Sequence, residues 1–417
     1  MSSLFESFLS TPEVTEALSD HAVIDAMLRF EAALARAQAS AGLIPHAAAQ
    51  SIIGTCKVEL FDVPKLVRES ARCRSLATPL VTSLRETVAL FNPEAANLVH
   101  LGCTDQELVD TALALVMRDV LTLIETDLDR AVQALLALAA QHAGDVMLAR
   151  NPQHAAAVTT FGLTCSQWAA PLVRSQQRLH SAAGGALTLR LGSEIVTRAA
   201  LQGQATRVMA SMATDLRLKA PAFAGNTSPD DTVVLACELG VLVGSLGKIA
   251  GDIAHLAQFE IGELTPPMAP AASVPGAKPV LPMPMEVLCM AALSAARQVP
   301  QQVATLLSTL SRESGTAPGS WQTQLAQWPA LLTASQNVTQ AVAHMVRGLH
   351  ADTQRMRSNL DAVRASLPTK EAKARLSGEL AQQASALTHA QIAALLALCP
   401  ATLQQSAVVW ALPDVDA

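Results

Sequence analysis

The chain has 417 residues, half of them hydrophobic, with no tyrosine and only 15% charged against about 25% in an average globular protein. That balance excludes an intrinsically disordered chain, and the length allows one large domain or several ordinary ones. A formal charge of −6, scattered Lys and Arg, and 3% aromatic residues exclude the basic, stacking surfaces that nucleic acids need.

Residues 1–20 carry acidic groups where an export signal has a basic end and a long apolar core, so the expected location is the cytoplasm. From Ala22 to Ala41, the apolar Ile24, Met27, Leu28 and Leu34 recur at helical spacing, and Gly42 and Pro45 mark the end. Thr104 followed by Glu107 reads as a capping box, and periodicity unbroken to about His142 predicts a helix roughly 38 residues and about 57 Å long. Ser228-Pro229-Asp230-Asp231 predicts a second long helix through Glu260, with Ser228 as cap and two carboxylates at the positive end of the helix dipole. A third is expected from Glu286 to about Arg312, kinked at Pro300, and a fourth from about Ala330 to Val363.

The most apolar stretch, Val233 to Ala257, is interrupted by Glu238, Lys248 and Asp252, which reads as burial in protein and not in a membrane. Strand-like alternation is missing, so the predicted class is all-α. Seven prolines between Thr265 and Met285 predict a loop or extended segment. The expected organisation is an N-terminal helical domain (1–98), a central long-helix bundle (99–345) carrying the Pro-rich loop 265–285, and a short C-terminal helical domain (346–417). Seven cysteines stand singly in apolar surroundings and read as reduced core residues. With no nucleotide-binding loop, no nucleophile elbow and no paired Cys/His at metal spacing, neither cofactor nor metal is expected.

The stretch Val99-His-Leu-Gly-Cys-Thr-Asp-Gln-Glu-Leu-Val-Asp-Thr-Ala112 resembles the first signature region of the fumarase/aspartase superfamily, in particular V-H-W-G-A-T-S-Q-D-x-x-D-T-A of its 3-carboxy-cis,cis-muconate cycloisomerase branch. Met27–Ala37, Thr159-Thr-Phe-Gly-Leu163, Gly244–Ala250, Gln258–Glu263, Val303–Leu306 and Met356–Asp361 continue the resemblance in order, over roughly residues 20 to 363. It implies three mainly helical domains around a bundle of long helices. It also implies a homotetramer with active sites where three subunits meet, and cofactor-independent lactonisation of a small unsaturated polycarboxylate. In that chemistry a carboxylate oxygen adds across a conjugated double bond and a proton goes to the carbon beside another carboxylate. Such a step needs a positioned acid or base, with donors and cations around accumulating negative charge.

The branch places a serine, a lysine and an asparagine on its mobile loop. Aligned without gaps from Val303, this chain has Ala277, Met283 and Met285 there, none able to transfer a proton or present a cation. Ser273 and Lys278 are the nearest polar candidates for catalysis if the register shifts; otherwise they are linker and solvated loop residues. His154 stands at a family glutamine and reads either as an acid or anion binder, or as a histidine satisfied by a neighbour. The resemblance places Thr104, Asp105, Gln106, Thr159, Thr160 and Asn226 among substrate-binding positions. Asp105 stands for the usual serine, where a carboxylate would repel an anionic substrate. Asn226 and Pro229 replace a His and an Arg of the branch, and Asp230 is accounted for by the helix dipole. Two readings therefore stay open: an active cycloisomerase or lyase, and an inactive relative that keeps the bundle as a binding or oligomerisation partner.

Overall fold

The capping box forms. Thr104 Oγ1 accepts from the Glu107 N–H at 3.1 Å, and Glu107 Oε2 accepts from the Thr104 N–H at 2.9 Å. With two orphan amides satisfied, the chain enters an uninterrupted helix from Asp105 to Gln141. The computed structural model describes residues 10–150, 155–192, 195–220, 228–265, 284–311 and 319–399.

Their framework is α1 (Asp20–Ser40), α2 (Asp105–Gln141), α3 (Phe161–Ala186), α4 (Asp230–Leu256), α5 (Met285–Ser308), α6 (Ser320–Arg347) and α7 (Gly378–Leu398). Helix α2 packs on α3 and α6, α4 packs on α3, α5 and α6, and α5 packs on α6. Leu108, Leu115, Leu128 and Leu135 of α2 are buried against Leu235, Leu242 and Leu246 of α4, Trp168 of α3 and Trp328 of α6 in one continuous core. Leu108 and Leu115 share one side of α2 and Leu128 and Leu135 nearly the opposite one, and a helix apolar on several sides is stable only with neighbours on each. Helix α1, capped by Ser19, lies on α2. Among the described residues, sheet is confined to two ribbons: β1 (Val146–Arg150) pairs antiparallel with β2 (Ala155–Thr160), and β3 (Leu264–Thr265) with β4 (His350–Ala351).

Helix α4 is long and apolar enough to cross a membrane by length and composition alone. The three charges inside its apolar stretch all find partners in the protein. Glu238 accepts from Arg178 at 2.7 Å, Asp252 accepts from the Trp168 indole at 2.7 Å, and Lys248 pairs with Asp252 while lying 5.9 Å from the Trp168 ring centroid. Two motif glycines are explained by packing alone. A Cβ on Gly162 would sit 2.5 Å from the Ala139 carbonyl oxygen, and one on Gly247 would sit 2.4 Å from the Ala296 Cβ.

Three expectations need correction. The helix predicted from Ala330 to Val363 is two: α6 ends at Arg347 beside Gly348, β4 pairs with β3, and Asp352 caps a new helix, Thr353–Ser366, by accepting from the Arg355 N–H at 2.8 Å. Apolar spacing runs on through that break because both helices bury a stripe; Gly348 and the Asp352 cap are the true stop and start. Ser228 does not hold the N-cap position of α4: Pro229 does, and it makes no side-chain cap hydrogen bond. Cys73 is exposed, whereas Cys103, Cys165 and Cys289 are buried.

A buried ion pair fastens the bundle to the chain's C-terminal part. Fully buried Glu263 accepts from Nη1 and Nη2 of Arg150 at 2.8 and 2.5 Å, and from Asn359 Nδ2 at 2.8 Å. The Glu263 carbonyl accepts from the Asp352 N–H at 3.0 Å. The end of β1, the turn before β3 and the helix Thr353–Ser366 meet at one carboxylate.

On α2, Glu125 is partly desolvated and faces the Asp129 charge, which together raise its carboxyl to about 7. The unfolded chain gives up this proton first, so stability falls as pH rises from about 4.5 to about 7 and then levels off. Glu125→Gln is expected to remove that slope and to raise stability above pH 7 by about 1 kcal/mol, the value for a group still partly in water. Urea melts of both proteins at pH 5 and pH 8 measure it.

Candidate active site

The segment Val99–Thr104 leads into the N-terminus of α2 and carries two left-handed residues, His100 (φ 63°) and Gly102 (φ 74°). Glycine adopts that conformation freely; histidine holds it only when its surroundings demand it, at about 1–3 kcal/mol. The surroundings are visible. Arg85 donates to the Val99 carbonyl at 3.2 Å and Gln38 Nε2 donates to the Leu101 carbonyl at 2.6 Å, which clamps the backbone on both sides of His100.

The His100 ring, 8% exposed, lies between two carboxylates. Nδ1 lies 2.5 Å from Glu31 Oε1, supplied by α1, and 3.2 Å from Cys103 Sγ. Nε2 faces Asp105 Oδ1 at 3.5 Å, beyond good hydrogen-bond length. The other Asp105 oxygen accepts from the Ser75 and Thr78 hydroxyls at 3.1 and 2.8 Å.

Burial by itself would depress the His100 pKa, but Asp105, Cys103 and Glu31 outweigh it and push it up to about 12, so the ring is an imidazolium at neutral pH. The same contact with His100, aided by the Thr78 and Ser75 hydroxyls, holds Asp105 down at about 2 despite its partial burial. Burial raises the Cys103 thiol to about 12. The Asp105 charge, expected to repel an anionic substrate, is thus offset in part within the protein, one imidazolium facing two carboxylates.

Thr104, Asp105 and Gln106 stand together at the first turn of α2, where backbone amides and the helix dipole favour anions. Gln106 Nε2 reaches Asp110 Oδ2 at 3.4 Å, and Asp110 also accepts from the Trp321 indole at 2.7 Å. Thr159 and Thr160 lie elsewhere. They end β2 opposite Met147 and Val146, with the Phe161 N–H bonded to the Asp145 carbonyl just past the far end of α2. Thr160 caps α3 by accepting from the Leu163 N–H at 3.1 Å, and its hydroxyl meets that of Thr388 at 3.1 Å. Thirty-seven helical residues span about 55 Å, so a single protomer does not bring these two groups together. His154, Asn226, Ser273 and Lys278 lie outside the described residues, as do Ala277 and Met283; Met285 is buried at the start of α5.

The centre of this arrangement, Glu31, His100 and Cys103, was not singled out from the sequence. Cys103 passed for an ordinary core thiol, and Glu31 lay on a helix some seventy positions away. The signal that could have found it is the three-residue spacing of His100 and Cys103 in a segment closed by Gly102. Paired Cys/His is therefore present, contrary to the sequence expectation.

A lyase family profile matches residues 9–276. A 3-carboxy-cis,cis-muconate cycloisomerase of Bradyrhizobium diazoefficiens is 34% identical over 363 residues, covering 87% of this chain and 80% of that protein. One from Pseudomonas putida is 34% identical over 358 residues, covering 86% of this chain and 84% of its own. The crystal structure of a 3-carboxy-cis,cis-muconate lactonizing enzyme from Pseudomonas putida superimposes with a TM-score of 0.83 at 30% identity, over 95% of this chain and all of that one. Helix order, signature loop and likeness over most of the length agree: the chain belongs to the lyase family, within the fumarase/aspartase superfamily.

Proposed function

We propose that the protein is a cycloisomerase of the 3-carboxy-cis,cis-muconate type, closing a lactone on a small unsaturated polycarboxylate without a cofactor. The observation that carries this reading is 34% identity, over 87% of the chain, to an enzyme of that name. The first turn of α2 supports it chemically. Thr104 and Gln106 offer a hydroxyl and an amide where the helix dipole favours a carboxylate, and the His100 imidazolium offsets the neighbouring Asp105.

The reading includes assembly, and a cytoplasmic homotetramer is its form. Residue groups at opposite ends of α2 can share one site only if different subunits supply them. Exposed Val234 and Val241 on α4, with Met290 and Leu307 on α5, provide apolar surface for such contacts.

The test is direct. Purified protein mixed with 3-carboxy-cis,cis-muconate should show steady loss of the conjugated-diene absorbance, with formation of one lactone. No turnover, with binding still detected by calorimetry, would favour the inactive-partner reading suggested by Ala277, Met283 and Met285 at the loop's Ser, Lys and Asn positions.

A further inference from the structure

We propose that Glu31, His100 and Cys103 form a binding site for a borderline-soft divalent cation of the zinc class, built where the first signature loop meets α1. This goes beyond the cycloisomerase reading and does not depend on it.

Three donors of the right types converge. Glu31 Oε1, His100 Nδ1 and Cys103 Sγ all lie within 4.8 Å of one another, on side chains from α1 and from the loop before α2. Tetrahedral zinc, with bonds of about 2.0–2.3 Å, holds its ligand atoms about 3.3–3.7 Å apart. The present spacings of 2.5 Å (Glu31 to His100) and 3.2 Å (Cys103 to His100) lie within about an ångström of that. A mixed S, N, O set suits Zn(II) and Co(II), not Ca(II) or Mg(II), which take oxygen ligands.

The remainder of the ring points the same way. A single imidazole nitrogen, Nδ1, faces both the carboxylate and the thiol; its one hydrogen goes to the carboxylate, and the thiol's own hydrogen reaches only the His100 carbonyl, at a long 3.7 Å. A cation at that point satisfies all three atoms at once. The opposite nitrogen, Nε2, is buried without a hydrogen bond and faces Asp105, itself fixed by Ser75 and Thr78. A metal-bound histidine characteristically turns its second N–H toward a carboxylate, which sets the tautomer and raises ligand basicity. Asp105 stands where that partner belongs. The strained backbone at His100 holds the donors in register. Binding displaces one proton from His100 and one from Cys103, so the ion's two positive charges replace the imidazolium charge and balance the new thiolate.

The test uses the full-length protein, freed of metal with a chelator and titrated with Co(II). The expected result is a sulfur-to-cobalt charge-transfer band in the near ultraviolet, saturating at one ion per chain and abolished by excess Zn(II). Cys103→Ala, which restores the residue of the resembling motif, should remove the band, and Glu31→Gln should weaken retention of Zn(II) after dialysis at least tenfold. Circular dichroism confirms that both variants fold. Two outcomes overturn the proposal. One is the absence of a charge-transfer band in wild-type protein. The other is a band that persists in folded Cys103→Ala and so belongs to one of the other six cysteines.

Discussion

His100→Gln is expected to lower kcat/KM for 3-carboxy-cis,cis-muconate by about 10²–10³-fold in chelator-treated protein, with helical content unchanged. Glutamine keeps a donor near Glu31 but abolishes the charge that stands between that carboxylate and Asp105. Two uncompensated negative groups then flank the turn where an anionic substrate must bind. The repulsion is already felt in the ground state, so KM should rise along with the fall in kcat. Steady-state kinetics separates the two parameters. Activity within threefold of wild type would remove this charge cluster from any account of the reaction.

Glu263→Ala should destabilise the protein by about 3 kcal/mol, among the largest effects open to a single substitution away from the signature loop. The Arg150 guanidinium is 24% exposed and Glu263 wholly buried, so truncation leaves a largely desolvated cation facing an empty site. Asn359 loses its side-chain acceptor at the same point. Glu263→Gln keeps one acceptor oxygen and should cost less. Urea unfolding followed by circular dichroism measures both; a loss below about 1 kcal/mol for the alanine variant would show that the pair does not fasten the C-terminal part to the bundle.

The same two clusters mark how far sequence reasoning reaches. Gln258–Glu263 and Met356–Asp361 are recognisable as matching segments, yet nothing in their spacing says that Asn359 donates to Glu263 or that the same carboxylate accepts from Arg150, on a strand 113 positions from it. Helices α2, α4 and α5 were legible to within a few residues because caps and apolar periodicity are local signals. The split after Arg347 was not, because a two-residue ribbon has no periodicity of its own. At the signature loop, Thr104, Asp105 and Gln106 were legible as motif positions. The electrostatic state of Asp105 was not, because it depends on how the left-handed backbone turns the His100 ring and on a serine and a threonine from another segment.

By itself, the sequence determined an all-α chain of rod-like helices and its family, since capping, periodicity and an ordered set of segments need only neighbouring residues to be read. Tertiary structure alone decided that Glu31 meets His100 and Cys103, that the His100 cation faces Asp105 as well, and that Thr104 and Thr160 lie at opposite ends of one long helix. Burial and Coulomb interaction act through space between residues far apart in the chain, and no local pattern encodes those distances.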